Sequence, residues 1–523
     1  MKIVSIFPVI TVLAVIILFL NVKSLDINES SDNIEMPSNG EWNKIYENFA
    51  GEAFGIIKVN GGYAIMGGCM AQNTSWSESD VFLLKIDENG NIIWNKTYGG
   101  NGEDVGLSLV KTENGYAICG YTMSYGNGGV DVWIVKTDEQ GNELWNKTYG
   151  REGDDFGKHI IKTNDGYAIV GSSGNRDGDI WVIRIDEDGN IIWNKTYGGE
   201  DYDGGEDILK TEDGYLICGV TASYGKEKSW DAWLIKIDEN GNEVWNKTYD
   251  YGDMEWATRI IKVGNGYIVC GNTVGAIPSG WLIKVDNQGN EVWNKTYGGG
   301  DVERFSDITE IEDGYVLAGC TGTYDVGFTD GWLLKIDKQG NEIWNKSFGR
   351  RFGDFIHGCI YDNGTYILAG GSYDVFLENG TAEVDERIWL IKCADYPPPE
   401  RIKIIRPSNY LYLFDREIMP TGKTLILGSI TVIAEVNDSM EDVNRVDFYL
   451  ASEKMYDYEA RAVLYNPPYE WKWNSFSVGL RTPYTITAGA YYGNAGGVIA
   501  DNKVEVYIVN LTPASSAPTD AGN

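Results

Sequence analysis

The stretch Trp-Asn-Lys-Thr-Tyr-Gly-Gly at residues 94–100 constrains this chain more than any other feature. Its Trp-Asn-Lys core returns at Trp145, Trp193, Trp245 and Trp293, and again as Trp-Asn-Lys-Ser-Phe-Gly at Trp344. A divergent copy, Trp-Asn-Lys-Ile-Tyr, stands ahead of the others at Trp42. The seven tryptophans are 52, 51, 48, 52, 48 and 51 residues apart. A period near fifty with small insertions signals stacked copies of one supersecondary unit, each burying its faces against its neighbours.

Residues 101–150 display the unit. Four short β-rich runs occur: Gly106-Leu-Ser-Leu-Val-Lys-Thr, Tyr116-Ala-Ile-Cys-Gly, Trp133-Ile-Val-Lys-Thr and Glu143-Leu-Trp-Asn-Lys-Thr-Tyr. Between them lie Glu113-Asn-Gly, an irregular loop from Met123 to Asp131, and Asp138-Glu-Gln-Gly-Asn. Glycine and asparagine tolerate positive φ, so such pairs between β-rich runs read as hairpin turns. No run sustains a 3.6-residue apolar period. Four antiparallel strands per repeat make one blade of a β-propeller. Seven units follow: 51–100, 101–150, 151–199, 200–250, 251–298, 299–349 and 350–395. The seventh runs from Trp389-Leu-Ile-Lys into Cys393-Ala-Asp-Tyr-Pro-Pro-Pro without a Trp-Asn-Lys strand. The orphan strand Glu41–Tyr46 is therefore expected to complete the last blade, which would hide otherwise exposed strand edges. The expected fold is all-β: a seven-bladed propeller over 41–395, followed by a second β domain.

Asp87-Glu-Asn-Gly-Asn-Ile-Ile-Trp94 resembles the Asp-turn-Gly-x-x-x-Trp signature of quinoprotein-type propellers, one residue shorter. It is also similar to the Asp-box turn of sialidase-type propellers. The units most resemble secreted prokaryotic repeat proteins built from Asp-x-Trp-Leu-x-Lys-x-Asp-x-x-Gly-Asn-x-x-Trp-x-Lys-Thr-Tyr-Gly-Gly. This resemblance covers 41–395 and implies a propeller whose outer-strand tryptophan docks on the next blade, with Trp193 expected to be largely buried there. It implies no activity, because one fold hosts many functions.

Residues 1–24 carry an apolar run from Ile3 to Val22, behind Lys2. That length suits a transmembrane anchor or a long signal peptide, and the positive-inside tendency puts the remainder outside the cytoplasm. Residues 25–40 form an acidic linker and 396–400 a proline-rich one. Residues 401–511 alternate in short strands at sandwich spacing. Val446-Asp-Phe-Tyr, Pro468-Tyr-Glu-Trp471-Lys-Trp473, and Tyr484-Thr-Ile-Thr-Ala with Gly493-Asn-Ala-Gly resemble the Ig-like modules of prokaryotic surface proteins, with a longer insertion from Ala451 to Asn466. Residues 512–523 read as a disordered tail. The net charge of −34 argues against nucleic acid, which requires a basic face. Cys119, Cys218 and Cys270 share a repeat position held elsewhere by Met66, Val170, Ala318 and Ala369. They are read as buried free thiols, not as a disulfide framework.

Within a blade, the turns joining strands one–two and three–four share one edge, and they are uniform here. The opposite edge carries loops that differ between units: Met70–Asp80, Met123–Asp131, Ala222–Asp231, Gly322–Asp330 and a long insertion, Gly371–Arg387. Variable loops on a rigid scaffold are the usual place for function. Their aromatic residues, Trp76, Tyr125, Tyr224, Trp230, Tyr324 and Tyr373 with Phe328 and Phe376, form a candidate rim for sugar faces or peptide. A carboxylate recurs twelve residues before each second-strand tyrosine: Asp104, Asp155, Asp203, Glu255, Glu303 and Asp354. These six either cap backbone amides or form a ring that binds a cation, with Ca²⁺ as the candidate ion. Asp87-x-Asn89-x-Asn91 reads as an Asx turn and not a calcium loop. The third-strand Lys85, Lys136, Lys236, Lys284, Lys335 and Lys392, with Arg184, are expected to form ion pairs. Asn95, Asn146, Asn194, Asn246, Asn294 and Asn345 open glycosylation sequons, but the triplet recurring because the strand recurs is the preferred reading.

His159 and His357 fall in distant units and are not expected to meet. No zinc spacing, adjacent cysteine pair or arginine cluster around a Tyr–Glu pair is apparent. The reading is a non-enzymatic binding or adhesion protein at the extracellular face of the membrane or secreted, with a carbohydrate or an extracellular protein as ligand. It touches the membrane through the N-terminal segment only. The alternatives are a glycosidase or polysaccharide lyase using carboxylates of the loop edge, and a structural surface-layer component.

Overall fold

The computed structural model describes residues 41–395, except 71–78, 152, 175–177, 226–228, 253, 276–277, 299–301, 323–328, 350–352 and 379–380, and the backbone of strands between Ile402 and Ile508. The N-terminal segments 1–24 and 25–40, the linker 396–400, the tail 512–523, and Trp76, Tyr324 and Phe328 lie outside the described residues. Among the described residues no helix is long and apolar enough to cross a membrane.

The described structure is all-β and is built largely of four-stranded antiparallel sheets. Each repeat supplies one. Asp104–Thr112, Gly115–Thr122, Asp131–Asp138 and Glu143–Tyr149 pair in sequence order. Four further sheets repeat this order, with first strands Asp155–Thr163, Asp203–Thr211, Met254–Val263 and Glu303–Ile311. The remaining strands join in one seven-stranded sheet through a shared long strand, Trp42–Val59. Its first part pairs with the strand Thr381–Ala394, Trp42 opposite Lys392 and Ile45 opposite Trp389. Its second part pairs with Gly62–Met70, Gly51 opposite Cys69 through Val59 opposite Gly62. The first strands of successive sheets lie side by side, and Gly353–Asp362 lies against Trp42–Val59.

Burial follows strand position. Second strands such as Gly214–Thr221 are buried along their whole length, because a neighbouring sheet covers each face. Fourth strands alternate exposed and half-buried residues. Among the described residues, seven apolar clusters fill gaps between successive sheets. One joins Cys119, Val132 and Ile134 to Tyr167, Ile169, Trp181 and Ile183. Another joins Tyr63, Ile65, Phe82 and Leu84 to Ile367, Ala369, Ile388 and Leu390. Each enclosed Ile or Leu contributes about 1.5–3 kcal/mol, so the sheets cohere by face burial. All seven cysteines are free and buried, as expected.

The Trp-Asn-Lys-x-Tyr motif fastens each sheet to the next. Asp238 accepts the N–H groups of Asn240 and Asn242 at 2.8 Å and the Asn242 side-chain amide at 2.9 Å. This is an Asx turn, with Gly241 at φ 75° where a side chain would be strained. Trp193 of the preceding sheet lies over that glycine, close enough that a Cβ there would meet its ring at 2.9 Å. Its indole N–H donates to Glu239 O at 3.1 Å, Lys195 to Asn242 Oδ1 at 2.8 Å, and the Tyr197 hydroxyl to Gly241 O at 2.6 Å. Trp42, Lys44 and Tyr46 make the same three contacts to Glu88 O, Asn91 and Gly90 O, at 3.1, 3.0 and 2.8 Å.

Two expectations need correction. Trp193 docks on the next sheet but stays half-buried, because it sits on the outermost strand. The fully enclosed tryptophans are on third strands, Trp233, Trp281 and Trp389. The segment 371–387, read as a loop, instead prolongs a hairpin between Thr365–Glu378 and Thr381–Ala394, with Ser372 opposite Arg387.

Strands from Ile402–Arg406 to Val498–Ile508 form two further sheets, one of three strands and one of seven. Parallel pairs occur where Thr424–Leu427 lies between Tyr410–Leu413 and Val498–Ile508.

Candidate functional site

The six repeated carboxylates begin first strands and are almost completely buried. Asp104, Asp155 and Asp203 accept the backbone N–H four residues upstream, from Gly100, Arg151 and Gly199, at 2.8, 2.7 and 2.8 Å. Each thereby caps the link that enters its sheet. Ser124 and Ser223 hydroxyls add donors to Asp104 and Asp203, the latter at 2.7 Å. A single axial ring is not what the six build. Among the described residues, the one set of three acidic groups whose oxygens lie within 4.8 Å of one another is Asp231, Asp250 and Glu255, and it holds only one of the six.

A second carboxylate accompanies these acids, from the start of the third strand of the preceding sheet. Asp80 and Asp104 approach Gly99 from two sides: a Cβ built there would lie 1.9 Å from Asp80 Oδ1 and 2.8 Å from Asp104 Oδ2. Asp179 and Asp203 flank Gly198 likewise, at 2.0 and 2.7 Å. Burial, then the neighbouring carboxylate, raises the carboxyls of Asp80 and Asp179 above the ordinary aspartate range. For Asp131, beside Asp155, the same two effects outweigh an N–H bond from Asn127. Sequence reasoning missed this partner row, although Asp80, Asp131, Asp179, Asp231 and Asp330 precede five of the seven third-strand cores and could have been aligned.

Deeper along the first strands, a β-bulge in each sheet turns one residue toward its neighbours. The bulge falls next to His159, Asp207, Arg259 and Asp307, and these four meet. His159 Nδ1 lies 2.6 Å from Asp207 Oδ1. Arg259 approaches His159 Nε2 at 2.6 Å and donates to Asp307 Oδ1 at 3.1 Å. Arginine only donates, so His159 Nε2 accepts and its proton sits on Nδ1, facing Asp207. Asp207 and Asp307 also accept the N–H of Ile260 and Cys359 in the following sheets, both at 2.9 Å. Burial alone would raise the Asp207 carboxyl, but His159 and Arg259 bring it down to about 2. The four residues share one register, eight before each second-strand tyrosine, which is the signal that reveals them in the sequence. His159 and His357 do belong to separate clusters, as expected.

The second histidine joins a cluster at the loop edge. Glu52 is buried and receives His357 Nε2 on one oxygen and the Tyr373 hydroxyl on the other, the latter at 2.9 Å. His357 stacks on Phe355 and lies near Phe54, and the Arg304 guanidinium sits 5.5 Å over Phe355. Burial opposes ionisation of Glu52, but His357, Tyr373 and Arg304 together hold its carboxyl below the ordinary range. Burial, Glu386 and Glu52 push the Tyr373 phenol well up. The set therefore offers a fixed anion, a phenol that stays protonated and an imidazole in contact. Tyr373 is thus a member of this cluster rather than of an aromatic rim.

The remaining aromatic candidates separate. Tyr125 and Tyr224 keep one open face but donate to Gly99 O and Gly198 O at 2.6 and 2.8 Å, clamping links between sheets. Trp230 lies between Tyr202 and Trp256, with ring centres 5.3 and 5.4 Å away. The repeated asparagines have a structural task. Asn146, Asn194 and Asn246 accept the indole N–H of Trp133, Trp181 and Trp233 at 3.2, 3.2 and 3.3 Å. Asn95 and Asn294 are exposed, and Asn345 is half-buried. Four of the seven third-strand cations form ion pairs among the described residues, Lys136 with Glu187, Lys236 with Asp213, Lys335 with Asp313 and Asp395, and Arg184 with Asp165.

Among curated proteins none matches the sequence. In solved structures, the chain is similar to a putative 6-phosphogluconolactonase from Bacteroides fragilis, at 12% identity over 63% of this chain and 96% of that one, with a TM-score of 0.40. It is similar to the periplasmic gluconolactonase of Pseudomonas aeruginosa at 9% identity, covering 56% and 85%, with a TM-score of 0.40. It is also similar to the N11 neuraminidase-like protein of a flat-faced bat influenza virus (Peru) at 9% identity, covering 54% and 86%, with a TM-score of 0.35. No activity is carried across from these likenesses. Residues 418–492 match the family model described as a Bacterial Ig domain.

Proposed function

We propose that this chain is an extracellular, membrane-tethered binding protein whose seven four-stranded blades form a propeller closed by residues 42–46. Three observations support the closure: the pairing of Trp42–Ile45 with Lys392–Trp389, the lodging of Trp42, Lys44 and Tyr46 on the first Asx turn, and the apolar cluster joining the first and last repeats. The apolar segment 1–24 supplies the anchor, and the Ig-like region acts as a spacer.

The ligand is a carbohydrate taken at the loop edge. The observation that carries this reading is the contrast between the two edges. The turn edge is uniform and occupied by latches. The loop edge holds the Tyr202–Trp230–Trp256 stack and the Glu52–His357–Tyr373–Arg304 cluster. Flat rings and fixed polar groups suit sugar faces and hydroxyls. A glycan array probed with the full chain tests this. Binding that falls at least tenfold in Trp256→Ala and in Tyr373→Phe supports the reading. An array with no signal above background overturns it.

A second reading, a carbohydrate-active enzyme, is favoured by one feature: Glu52 bonded to a phenol and an imidazole. It requires turnover of an array-positive glycan that Glu52→Gln abolishes while binding persists.

A further inference from the structure

We propose that the buried carboxylate pairs at the first four junctions between successive sheets are binding sites for a hard divalent cation of the Ca²⁺ type, with Asp231, Asp250 and Glu255 the strongest. This inference is independent of the sugar reading. Asp80 Oδ1 and Asp104 Oδ2 converge on the space beside Gly99, and Asp179 Oδ1 and Asp203 Oδ2 on that beside Gly198. Asp131 lies against Gly150 in the same way and feels the charge of Asp155.

Carboxylates so close cannot all ionise in a buried place without a compensating charge. Among the described residues, no lysine, arginine or histidine is ion-paired with any of these six.

The second observation is independent of the clustering. In each of the three pairs one buried oxygen receives no hydrogen bond: Asp80 Oδ1, Asp155 Oδ1 and Asp179 Oδ1. Asp155 is completely enclosed, so water outside the protein does not reach that oxygen. The N–H groups of Gly100, Arg151 and Gly199 go to Asp104 Oδ2, Asp155 Oδ2 and Asp203 Oδ2, and not to these three oxygens, of which Asp80 Oδ1 and Asp179 Oδ1 face the junction glycines. Buried acceptors are rarely left so.

The fourth junction departs from the repeat in a telling way. The glycine that follows the motif tyrosine (phenylalanine at 348), Gly99, Gly150, Gly198, Gly298 and Gly349, is Asp250 there. Its carboxylate brings three acidic groups within 4.8 Å. Three carboxylates at one point with oxygen as the sole donor element suit Ca²⁺, which takes six to eight oxygens, better than zinc, whose sites are built on cysteine sulfur or histidine nitrogen. The rest of the shell would come from water and backbone carbonyls.

The test uses the full chain, dialysed against chelator and then titrated with Ca²⁺ alone, by calorimetry and by melting. The expected result is saturable binding and a melting temperature that rises with Ca²⁺, as binding to the folded state requires. Asp250→Gly restores the repeat glycine and keeps the fold. It should weaken the tightest binding at least tenfold while leaving the Ca²⁺-free melting temperature unchanged or higher. Asp80→Asn with Asp179→Asn should remove weaker sites and spare the tight one. Wild type with one melting temperature in chelator and in millimolar Ca²⁺ overturns the proposal. So does a Ca²⁺ response unaltered in both variants, which would locate the ion elsewhere.

Discussion

Asn246 shows how a repeated residue can look like a modification signal and serve packing. Its Oδ1 accepts the indole N–H of Trp233, a tryptophan with almost no exposed surface. Asn246→Ala leaves that donor without a partner and should cost about 1–3 kcal/mol, measured by chemical denaturation. A cost under about 0.5 kcal/mol would return the asparagine to its sequon reading. Asp207 is the second residue whose environment makes a forecast. Its folded carboxyl sits at about 2, below the ordinary aspartate value, because His159 and Arg259 outweigh burial. A depressed carboxyl stabilises the fold above its unfolded pKa, and that contribution fades as pH falls through the folded one. It should therefore be complete above about pH 5 and fade toward pH 2, amounting to about 2 kcal/mol. Asp207→Asn should melt lower at neutral pH and lack this segment of acid sensitivity. Equal acid profiles would place the main titration elsewhere. The sequence disclosed Asn246 as a repeat member but not Asp207, because the four-residue network mixes histidine, arginine and aspartate. Only register, not residue type, unites them.

At the scale of the element, the motif acts as a latch spanning two sheets. Trp193, Lys195 and Tyr197 all seat on the turn Asp238–Asn242. Trp193→Ala removes a half-buried ring and should cost about 2–3 kcal/mol, less than a fully enclosed tryptophan would. Gly241→Ala strains a positive-φ turn and meets the Trp193 ring, so its cost should be similar. Equal stability of Trp193→Ala and wild type in urea would remove the latch. Strands, turns and the Asx geometry were legible because Asn-Gly and Asp-x-x-Gly-Asn fix local conformation. The hairpin of residues 365–394 was not, since at this position the other repeats carry a loop, and reading the seventh by analogy with them hid the alternation of Thr381-Ala-Glu-Val-Asp385. The acidic partners Asp80 and Asp179 were also missed. Their meaning depends on the neighbouring sheet, and a strand read alone does not contain its neighbour.

For the whole molecule, the central claim is that Trp42–Tyr46 completes the last repeat and joins the two ends of the propeller. The strand has both halves of its task in place, pairing with Lys392–Trp389 and latching to Gly90 and Asn91. Its loss would expose the strand around Trp389 and uncover apolar surface shared by the first and last repeats. The direct measurement compares two truncations of the chain by thermal melting, one starting at residue 41 and one at residue 49. The account predicts that the first melts like the wild-type fold and that the second melts lower by on the order of 10 °C. Identical melting of the two truncations would contradict it.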